Sequence, residues 1–236
     1  MERVLNQLVE RLGKKLGERL IAVVLYGSAA ADDYHGRFSD LNILCVLDRV
    51  TSAELAQAES VFHWWRGLGN AAPLLLSREE LITSTDCFPI EFHDIRNRYR
   101  ILSGEDVIAS LELDDSFYRA EVEHDLRAKL LRLRQKASGV LSDKELLRRL
   151  LFDSVSTFCV LFRHALVLAG EAPVYRKREV IERAAARFGI SSAPFSKILD
   201  VRERRAKPGD LDPGPVFAEY LAEIGKVIDV VDAIDR

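Results

Sequence analysis

Two short polar motifs near residue 30 have the residue types to bind a phosphate and a metal ion. Gly27-Ser28 follows an apolar run, and Asp40-x-Asn42 opens a second apolar run after eleven intervening residues. Glycine lets the backbone approach a phosphate closely, and the serine hydroxyl can hydrogen-bond it as a helix begins. If the second run is a strand, Asp40 and Asn42 share one face, because alternate side chains point the same way. Both residue types are depleted in strands, so the pair indicates a binding role.

The oxygen-bearing side chains favour Mg²⁺, which proteins hold with one or two carboxylates plus substrate phosphates. We predict Asp40, Asn42 and Glu91 as the metal ligands, with Mn²⁺ as the alternative ion. Glu91 is also the candidate base that accepts the proton of an attacking hydroxyl. A metal-assisted transfer from a triphosphate, with Asp40 and Glu91 as the catalytic residues, is the chemistry that this set predicts.

A sheet covered by helices is predicted to position these residues, because strand and helix patterns alternate in the first half. Capping-box patterns at Thr51–Glu54 and Ser77–Glu80 predict two helix starts. Strands are predicted at residues 20–26, 40–48, 72–76 and 89–95. In the last of these strands, Glu91 and His93 would share one face.

The second half is predicted to be entirely helical. Ser142 with Glu145 is the predicted cap of its longest helix, and Gly189 is the predicted stop of another. The helices are expected at residues 116–137, 142–170, 177–188, 194–205 and 215–236. We therefore predict an α/β (α+β) domain with a mixed sheet over residues 1–112, followed by an all-α helical bundle over residues 113–236.

Composition excludes several other classes of protein. The 236 residues are 48% hydrophobic and 30% charged, the balance of a globular protein, and the net charge of -3 gives no general attraction to nucleic acid or anionic membranes. The three cysteines have neither zinc-ligand nor redox spacing. The N-terminus has a charged helical pattern unlike a signal peptide, and Arg163-His164 interrupts the longest apolar stretch. We expect a cytoplasmic protein.

The spacing of Gly27-Ser28 and Asp40-x-Asn42 between two apolar strands resembles the signature of nucleotidyltransferases related to DNA polymerase β. The stretch around Pro89-Ile-Glu91-Phe92 is similar to the segment that carries the third carboxylate in antibiotic adenylyltransferases of that superfamily. The resemblance implies a nucleotidyltransferase domain that uses ATP. It also implies phosphate binding by Gly27 and Ser28 and a role as base for Glu91.

The helical half resembles, more weakly, the C-terminal domain of streptomycin/spectinomycin adenylyltransferases. In that family an arginine late in one helix and a lysine opening the next bind the triphosphate, which implies these roles for Arg163 and Lys177, with Arg176 as an alternative to Lys177. Asp153 falls where the family has an acidic residue facing a cationic drug. From the residues alone, Arg163 can equally be a cation that stabilises a helix C-terminus, and Lys177 a solvated helix start.

Asn42 departs from the family pattern, which has Asp at this position. An asparagine offers one neutral oxygen, so the site loses a negative charge and much of its capacity to bridge two ions. Asn42 leaves three outcomes open: a slow enzyme, a one-metal enzyme, or a nucleotide-binding pseudoenzyme with a regulatory role. A separate alternative is a protein adenylyltransferase acting as an antitoxin.

The leading hypothesis is a Mg²⁺-dependent nucleotidyltransferase that moves AMP from ATP to a hydroxyl of a small molecule and releases pyrophosphate. Its expected partners are the nucleoside triphosphate and an unidentified hydroxyl acceptor, with neither membrane nor nucleic acid among them. The sequence leaves the acceptor, the preferred nucleobase and the oligomeric state open.

Overall fold

The computed structural model describes residues 1–30 and 41–234, and the chain divides into two compact units, Met1–Phe117 and Tyr118–Arg236. The predicted domain boundary after residue 112 falls five residues before this division. The first unit combines a sheet with helices and the second is helical, so the predicted fold class is confirmed. Asp40 lies outside the described residues.

The α/β unit follows the predicted alternation of helices and strands. Its N-terminal helix is amphipathic and buries one leucine per turn. Its elements in chain order are α1 (Glu2–Leu16), β1 (Leu20–Tyr26), β2 (Asn42–Leu47), α2 (Ser52–Gly67), β3 (Leu74–Ser77), α3 (Arg78–Thr83), α4 (Pro89–Asn97) and β4 (Tyr99–Gly104). The two predicted capping boxes are present at the starts of α2 and α3, where Thr51 and Ser77 are the N-caps.

The described strands form a mixed sheet in the order β3-β2-β1-β4. β1 pairs antiparallel with both β2 and β4, and β2 pairs parallel with β3. In this register Tyr26 lies opposite Asn42 on one side and Tyr99 on the other. The last residue of β1 and the first residue of β2 are therefore fixed side by side.

The two faces of the sheet carry separate hydrophobic clusters. Val23, Leu25 and Ile43 pack on one face with α1 and α2. Val24 and Leu44 pack on the other face with Leu81 of α3, Phe92 and Ile95 of α4 and the chain around residue 108. Burial of both faces explains the continuous apolar runs of β1 and β2, since a strand covered on one side only would alternate with polar residues.

The predicted strand over residues 89–95 is wrong, because this segment is helix α4. Pro89 occupies the first turn, where its fixed φ favours a helix and its missing N–H costs nothing. Phe92 and Ile95, three residues apart, both point into the core. Tyr99–Gly104 is the fourth strand instead. Short apolar runs give nearly the same pattern for a strand and a helix, so periodicity alone did not distinguish them.

The helical unit consists of α5 (Tyr118–Ala137), α6 (Lys144–Leu168), α7 (Lys177–Phe188), α8 (Ala193–Arg202) and α9 (Pro213–Ala233). α6 contacts each of the other four helices, and its buried face carries Phe158 and Phe162. The rings of these two residues meet those of Phe195 and Tyr220 from α8 and α9. α6 is thus the central helix of this unit.

The start of α6 differs from the prediction, whereas the bounds of α7 agree with it. The N-cap of α6 is Asp143 and not Ser142, since the Asp143 carboxylate accepts hydrogen bonds from the amides of Glu145 and Leu146. α7 has the predicted bounds, and Gly189 ends it in the left-handed conformation.

α6 is the one helix of the described residues whose length and composition would allow it to cross a membrane. Of its most apolar window, 56% is buried inside the protein. Its apolar character is therefore used in packing against neighbouring helices, and it is weak support for a membrane span.

Candidate functional site

Five of the predicted site residues can be placed in the structure. Gly27, Asn42 and Glu91 belong to the α/β unit, and Arg163 and Lys177 belong to the helical unit. Asp40 lies outside the described residues, and Ser28 is described only as part of the 3-10 turn Gly27–Ala30. The predicted shared face of Asp40 and Asn42 therefore stays a prediction.

Gly27 forms the corner at which β1 ends. Its φ of 78° lies in the left-handed region, which favours glycine because it has no Cβ. Its amide donates to the carbonyl oxygen of Arg98 at 2.9 Å. A Cβ on Gly27 would lie 3.1 Å from Nδ2 of Asn42, so the absence of a side chain lets the Asn42 amide lie against the corner. One residue of each sequence motif, Gly27 and Asn42, is thus adjacent to the other in the structure.

Asn42 lies on the face of the sheet that α3 and α4 cover. It is two residues before Leu44 in β2, so both side chains leave the strand on the same side, and Leu44 packs against that face. Tyr26, its partner across the strands, packs on the same cluster. The amide of Asn42 is half-buried there, next to the corner at Gly27.

Glu91 comes to this face from a helix and not from a strand. It lies in the first turn of α4, where the helix dipole favours a carboxylate. The pKa of the Tyr26 hydroxyl is raised, first by burial and then by the negative charges of Glu91 and Asp94. Both carboxylates therefore lie close to Tyr26 and on the face that bears Asn42. The convergence of Glu91 with the motif at Asn42 stays a prediction, and the element that carries Glu91 is a helix and not the predicted strand.

Asp94 is a candidate site residue that the sequence analysis missed. It follows Glu91 by three residues, a spacing that puts two side chains on one face of a helix. The same two residues read as a strand would point to opposite faces, so the incorrect strand assignment hid the pair. The usable signal was Pro89, which marks the start of a helix more often than the interior of a strand.

The donor set of this face fits a hard cation such as Mg²⁺. Glu91 and Asp94 supply carboxylate oxygens and Asn42 supplies one amide oxygen, all of a type that Mg²⁺ prefers. Within residues 1–30 and 41–234 there is no group of three His, Cys, Asp or Glu side chains placed to hold a metal ion. A metal site built from Glu91, Asp94 and Asn42 would therefore have two carboxylates and would need the neutral oxygen of Asn42 as its third protein ligand.

A cavity of about 650 Å³ opens on the α/β unit beside α3. It lies between α3 and residues 107–116, and its lining includes Arg78 and the carboxylates of Glu112, Asp114 and Asp115. Arg78 is paired with Glu105 at 2.5 Å, which leaves the lining acidic. Nε2 of His93 lies 2.7 Å from Oδ1 of Asp115, and this contact connects the cavity rim to α4. Its volume is in the range of small-molecule sites.

Arg163 is buried in the helical unit and is held in one orientation. Its guanidinium lies over the ring of Tyr175 at 4.7 Å and within 3.4 Å of His164 Nε2. An arginine only donates, so the contact requires Nε2 to accept and the ring proton to be on Nδ1. Nδ1 then donates to the hydroxyl oxygen of Tyr118 at 2.7 Å. Arg163 is therefore a buried side chain packed against an aromatic and an imidazole ring, and the alternative of a solvated helix end does not describe it.

Lys177 is the first residue of α7, and its neighbours disfavour its charged form. Its pKa is lowered, first by desolvation and then by the positive charge of Arg202. Arg176 is the N-cap of α7 and makes no side-chain capping hydrogen bond. Lys177 therefore adds a cation to a helix N-terminus that is already favourable for anions.

Cys159 lies on α6 among these cations but has no reactive thiolate. Burial raises the pKa of its thiol to about 12, although the charges of Lys177, Arg202 and Arg163 act in the opposite direction. Cys159 is a core residue, and the charges of all three cations act on its thiol. Asp153, predicted to face a cationic ligand, is exposed on the same helix.

The comparisons with known proteins come from structure alone, since no family model and no curated protein matches the sequence. The structure is similar to that of a spectinomycin adenyltransferase from Enterococcus faecialis, solved with ATP and spectinomycin. The TM-score is 0.62, the match covers 98% of this chain and 99% of that chain, and 13% of the residues are identical. At this identity the likeness establishes a nucleotidyltransferase fold.

Proposed function

We propose that the protein is a nucleotidyltransferase that moves AMP from ATP to a hydroxyl of a small molecule and releases pyrophosphate. The carrying observation is that Gly27 and Asn42 meet at one corner, on the face that also receives Glu91 and Asp94. A nucleotidyltransferase fold over the whole chain supports the proposal, as does the adenyltransferase with that fold, which was solved with ATP and an antibiotic.

In the proposed reaction, Glu91 accepts the proton of the acceptor hydroxyl as its oxygen attacks the α-phosphorus of ATP. Gly27 and Ser28 bind phosphate oxygens, and Arg163 and Lys177 bind the remaining phosphates through charge-assisted hydrogen bonds. Asp40, Asn42 and Glu91 would hold Mg²⁺, or Mn²⁺, with Asp94 as an additional carboxylate. When bound, the ion offsets the negative charge that develops on the phosphoryl oxygens.

The proposed acceptor is a small, positively charged compound with a hydroxyl group. The cavity beside α3 is large enough for a small molecule, and its carboxylates outnumber its one arginine. A concave site of this kind favours a small-molecule acceptor over a side chain of a partner protein. A cationic compound would find three carboxylates there, at Glu112, Asp114 and Asp115.

Incubation of the purified protein with α-labelled ATP, Mg²⁺ or Mn²⁺ and a library of hydroxyl compounds tests this function. Cationic compounds should become labelled while pyrophosphate is released in equal amount, and Glu91→Gln should remove both signals. If neither metal supports transfer to any compound, the proposed reaction is wrong.

A second candidate is a nucleotide-binding protein without turnover, favoured by the neutral Asn42. Replacement of Asn42 by Asp would restore a carboxylate beside Gly27. An enzyme that lacks one ligand should gain transfer activity in Asn42→Asp. A regulator should bind ATP with little dependence on metal and gain no activity. The two outcomes are separated by the same labelled-ATP assay combined with calorimetric titration of ATP with and without Mg²⁺.

A further inference from the structure

Arg202 is anchored to the face of α6 that carries the cation cluster. Phe152, Ser156, Cys159 and Arg163 recur at helical spacing, so they form one stripe along α6. Arg202 is the last residue of α8, and its Nη1 donates to the carbonyl oxygen of Phe152 at 2.7 Å and to Ser156 Oγ at 2.8 Å. The charge of Lys177 on α7 also acts on Cys159 of this stripe, so α6, α7 and α8 each contribute one cation near it.

Most of the hydrogen-bonding capacity of Arg202 is unused. A guanidinium has five N–H donors in a planar fork, and both hydrogen bonds to α6 come from Nη1. Within the described part of the chain, Nε and Nη2 of Arg202 have no hydrogen-bond partner. A guanidinium held on one side and open on the other is suited to bidentate binding of a phosphate.

Among the described residues, Lys177 and Arg202 have no ion-pair partner, although the negative charge of Glu203 offsets part of the pKa lowering of Lys177. In residues 1–30 and 41–234, no carboxylate lies at ion-pair distance from either side chain. Asp200 of α8 and Glu203, the residue after α8, both form their ion pairs with Arg178, at 2.6 Å and 2.9 Å. Two like charges that act on each other without an ion-pair partner cost stability, which is the pattern of a functional anion site.

We infer that Arg202 is a third phosphate-binding residue, which with Arg163 and Lys177 forms a site for a linear polyphosphate. Ser156, which holds Arg202, and Arg163 are seven residues apart, which is about 10 Å along a helix. This distance is longer than a single phosphate group, so a chain of phosphates fits the cluster better than one phosphate. The inference deepens the proposed function, because it adds a residue to the binding of the triphosphate of ATP.

The alternative is that Arg202 only ties α8 to α6. Its hydrogen bond to Ser156 provides the means to separate the two roles. Ser156→Ala removes part of the tie and keeps the cation, whereas Arg202→Gln removes the cation. Arg202→Lys keeps a cation but cannot make the forked contact.

Isothermal titration of the full-length protein with tripolyphosphate, pyrophosphate and inorganic phosphate, in buffer without divalent metal, tests the inference. We expect affinity to fall in that order of ligands. Loss of charge-assisted hydrogen bonds should weaken tripolyphosphate binding about tenfold in Arg202→Gln. Arg202→Lys should lose less, and Ser156→Ala should bind within about twofold of the wild type. The matched control is Arg204→Gln, which removes an exposed charge two residues away and should also stay within about twofold.

Equal affinities for Arg202→Gln and Arg204→Gln would overturn the inference, as would a Ser156→Ala variant that binds as weakly as Arg202→Gln. Thermal melting of each variant shows whether it is folded. If Arg202→Gln is not folded, the comparison of Arg202→Lys with the wild type decides the test. Failure of the proposed function can be distinguished from failure of this inference. If the protein binds tripolyphosphate through Arg202 but transfers no AMP, the inference is supported and the proposed reaction is contradicted.

Discussion

The two candidate regions of this protein are built in opposite ways. In the α/β unit, backbone geometry sets the site: the register of β1 with β2 and the left-handed Gly27 bring Asn42 to the corner. In the helical unit, side-chain charges define the site: Arg163 of α6, Lys177 of α7 and Arg202 of α8 all act on Cys159. One region depends on strand pairing and the other on helix packing.

The two regions also collect opposite charges. Glu91 and Asp94 act together on Tyr26, whose pKa is raised mainly by burial and further by these charges. Lys177 has a lowered pKa, mainly from desolvation and further from Arg202. The repulsion between Lys177 and Arg202 opposes folding, and a bound anion would relieve it. We expect a polyphosphate at the helical region, and we propose a cation at the α/β region from the carboxylate and amide oxygens there.

The largest effect is expected at the α/β region, on catalysis. Glu91→Gln removes the proposed base, and loss of such a group lowers kcat by about 10²–10⁴-fold. ATP affinity measured without divalent metal should change little, because the proposed triphosphate-binding residues are intact. Labelled-ATP transfer measures the first quantity and calorimetry the second. Glu79→Gln, an exposed carboxylate in the first turn of α3, is the control that should keep full activity. Unchanged turnover in Glu91→Gln would show that the acids of α4 serve another purpose.

The next effect concerns stability and tests whether backbone geometry builds the α/β corner. Gly27→Ala should lower the free energy of unfolding by about 1–3 kcal/mol, because alanine is strained at this φ. Gly17→Ala is matched, since Gly17 has a φ of 58° but open space around it. The added Cβ at Gly27 would also press on Asn42 at 3.1 Å, so Gly27→Ala should be the more destabilised variant in urea unfolding. Equal losses would mean that the contact with Asn42 has no energetic weight.

At the helical region we expect binding and stability to change in opposite directions. Lys177→Gln should weaken tripolyphosphate binding about tenfold, through the loss of a charge-assisted contact. It should also raise the melting temperature at neutral pH, because it removes a charge that desolvation and Arg202 disfavour. Lys197→Gln on α8 is exposed and should change neither quantity.

The pH dependence gives the same test without a mutation. The pKa of Lys177 is lower in the folded state than in the unfolded chain, so over the alkaline range between the two values the folded state binds fewer protons. Stability from this group therefore rises as pH increases through that range, while polyphosphate affinity falls. Both trends should be absent from Lys177→Gln. A wild-type affinity that is independent of alkaline pH would remove Lys177 from the site.

The smallest effect is expected at the start of α6 in the helical unit, where it shows which residue caps the helix. Asp143→Ala should destabilise the protein by about 1 kcal/mol, because the carboxylate that caps α6 is lost. Ser142→Ala should be nearly neutral. Chemical unfolding of the two variants measures the difference, and a larger loss for Ser142→Ala would restore the cap that the sequence pattern predicted.

The sequence by itself determined the features that depend on neighbours a few residues away. The bounds of β1 and α7 were predicted to the residue, and the capping boxes at Thr51 and Ser77 are present. A capping hydrogen bond spans three residues, and apolar spacing within one helix or strand needs no partner. The fold class followed from these local patterns and is confirmed. The roles of all the proposed site residues remain predictions: Gly27, Ser28, Asp40, Asn42, Glu91, Arg163 and Lys177.

Tertiary structure decided which segments face each other. It made residues 89–97 a helix, and that helix carries Asp94 beside Glu91 to the face of Asn42. It also brought Arg202 to Ser156, 46 residues away along the chain. The physical reason is that side-chain direction depends on which surface an element packs against, and that surface is made by residues far away in the sequence.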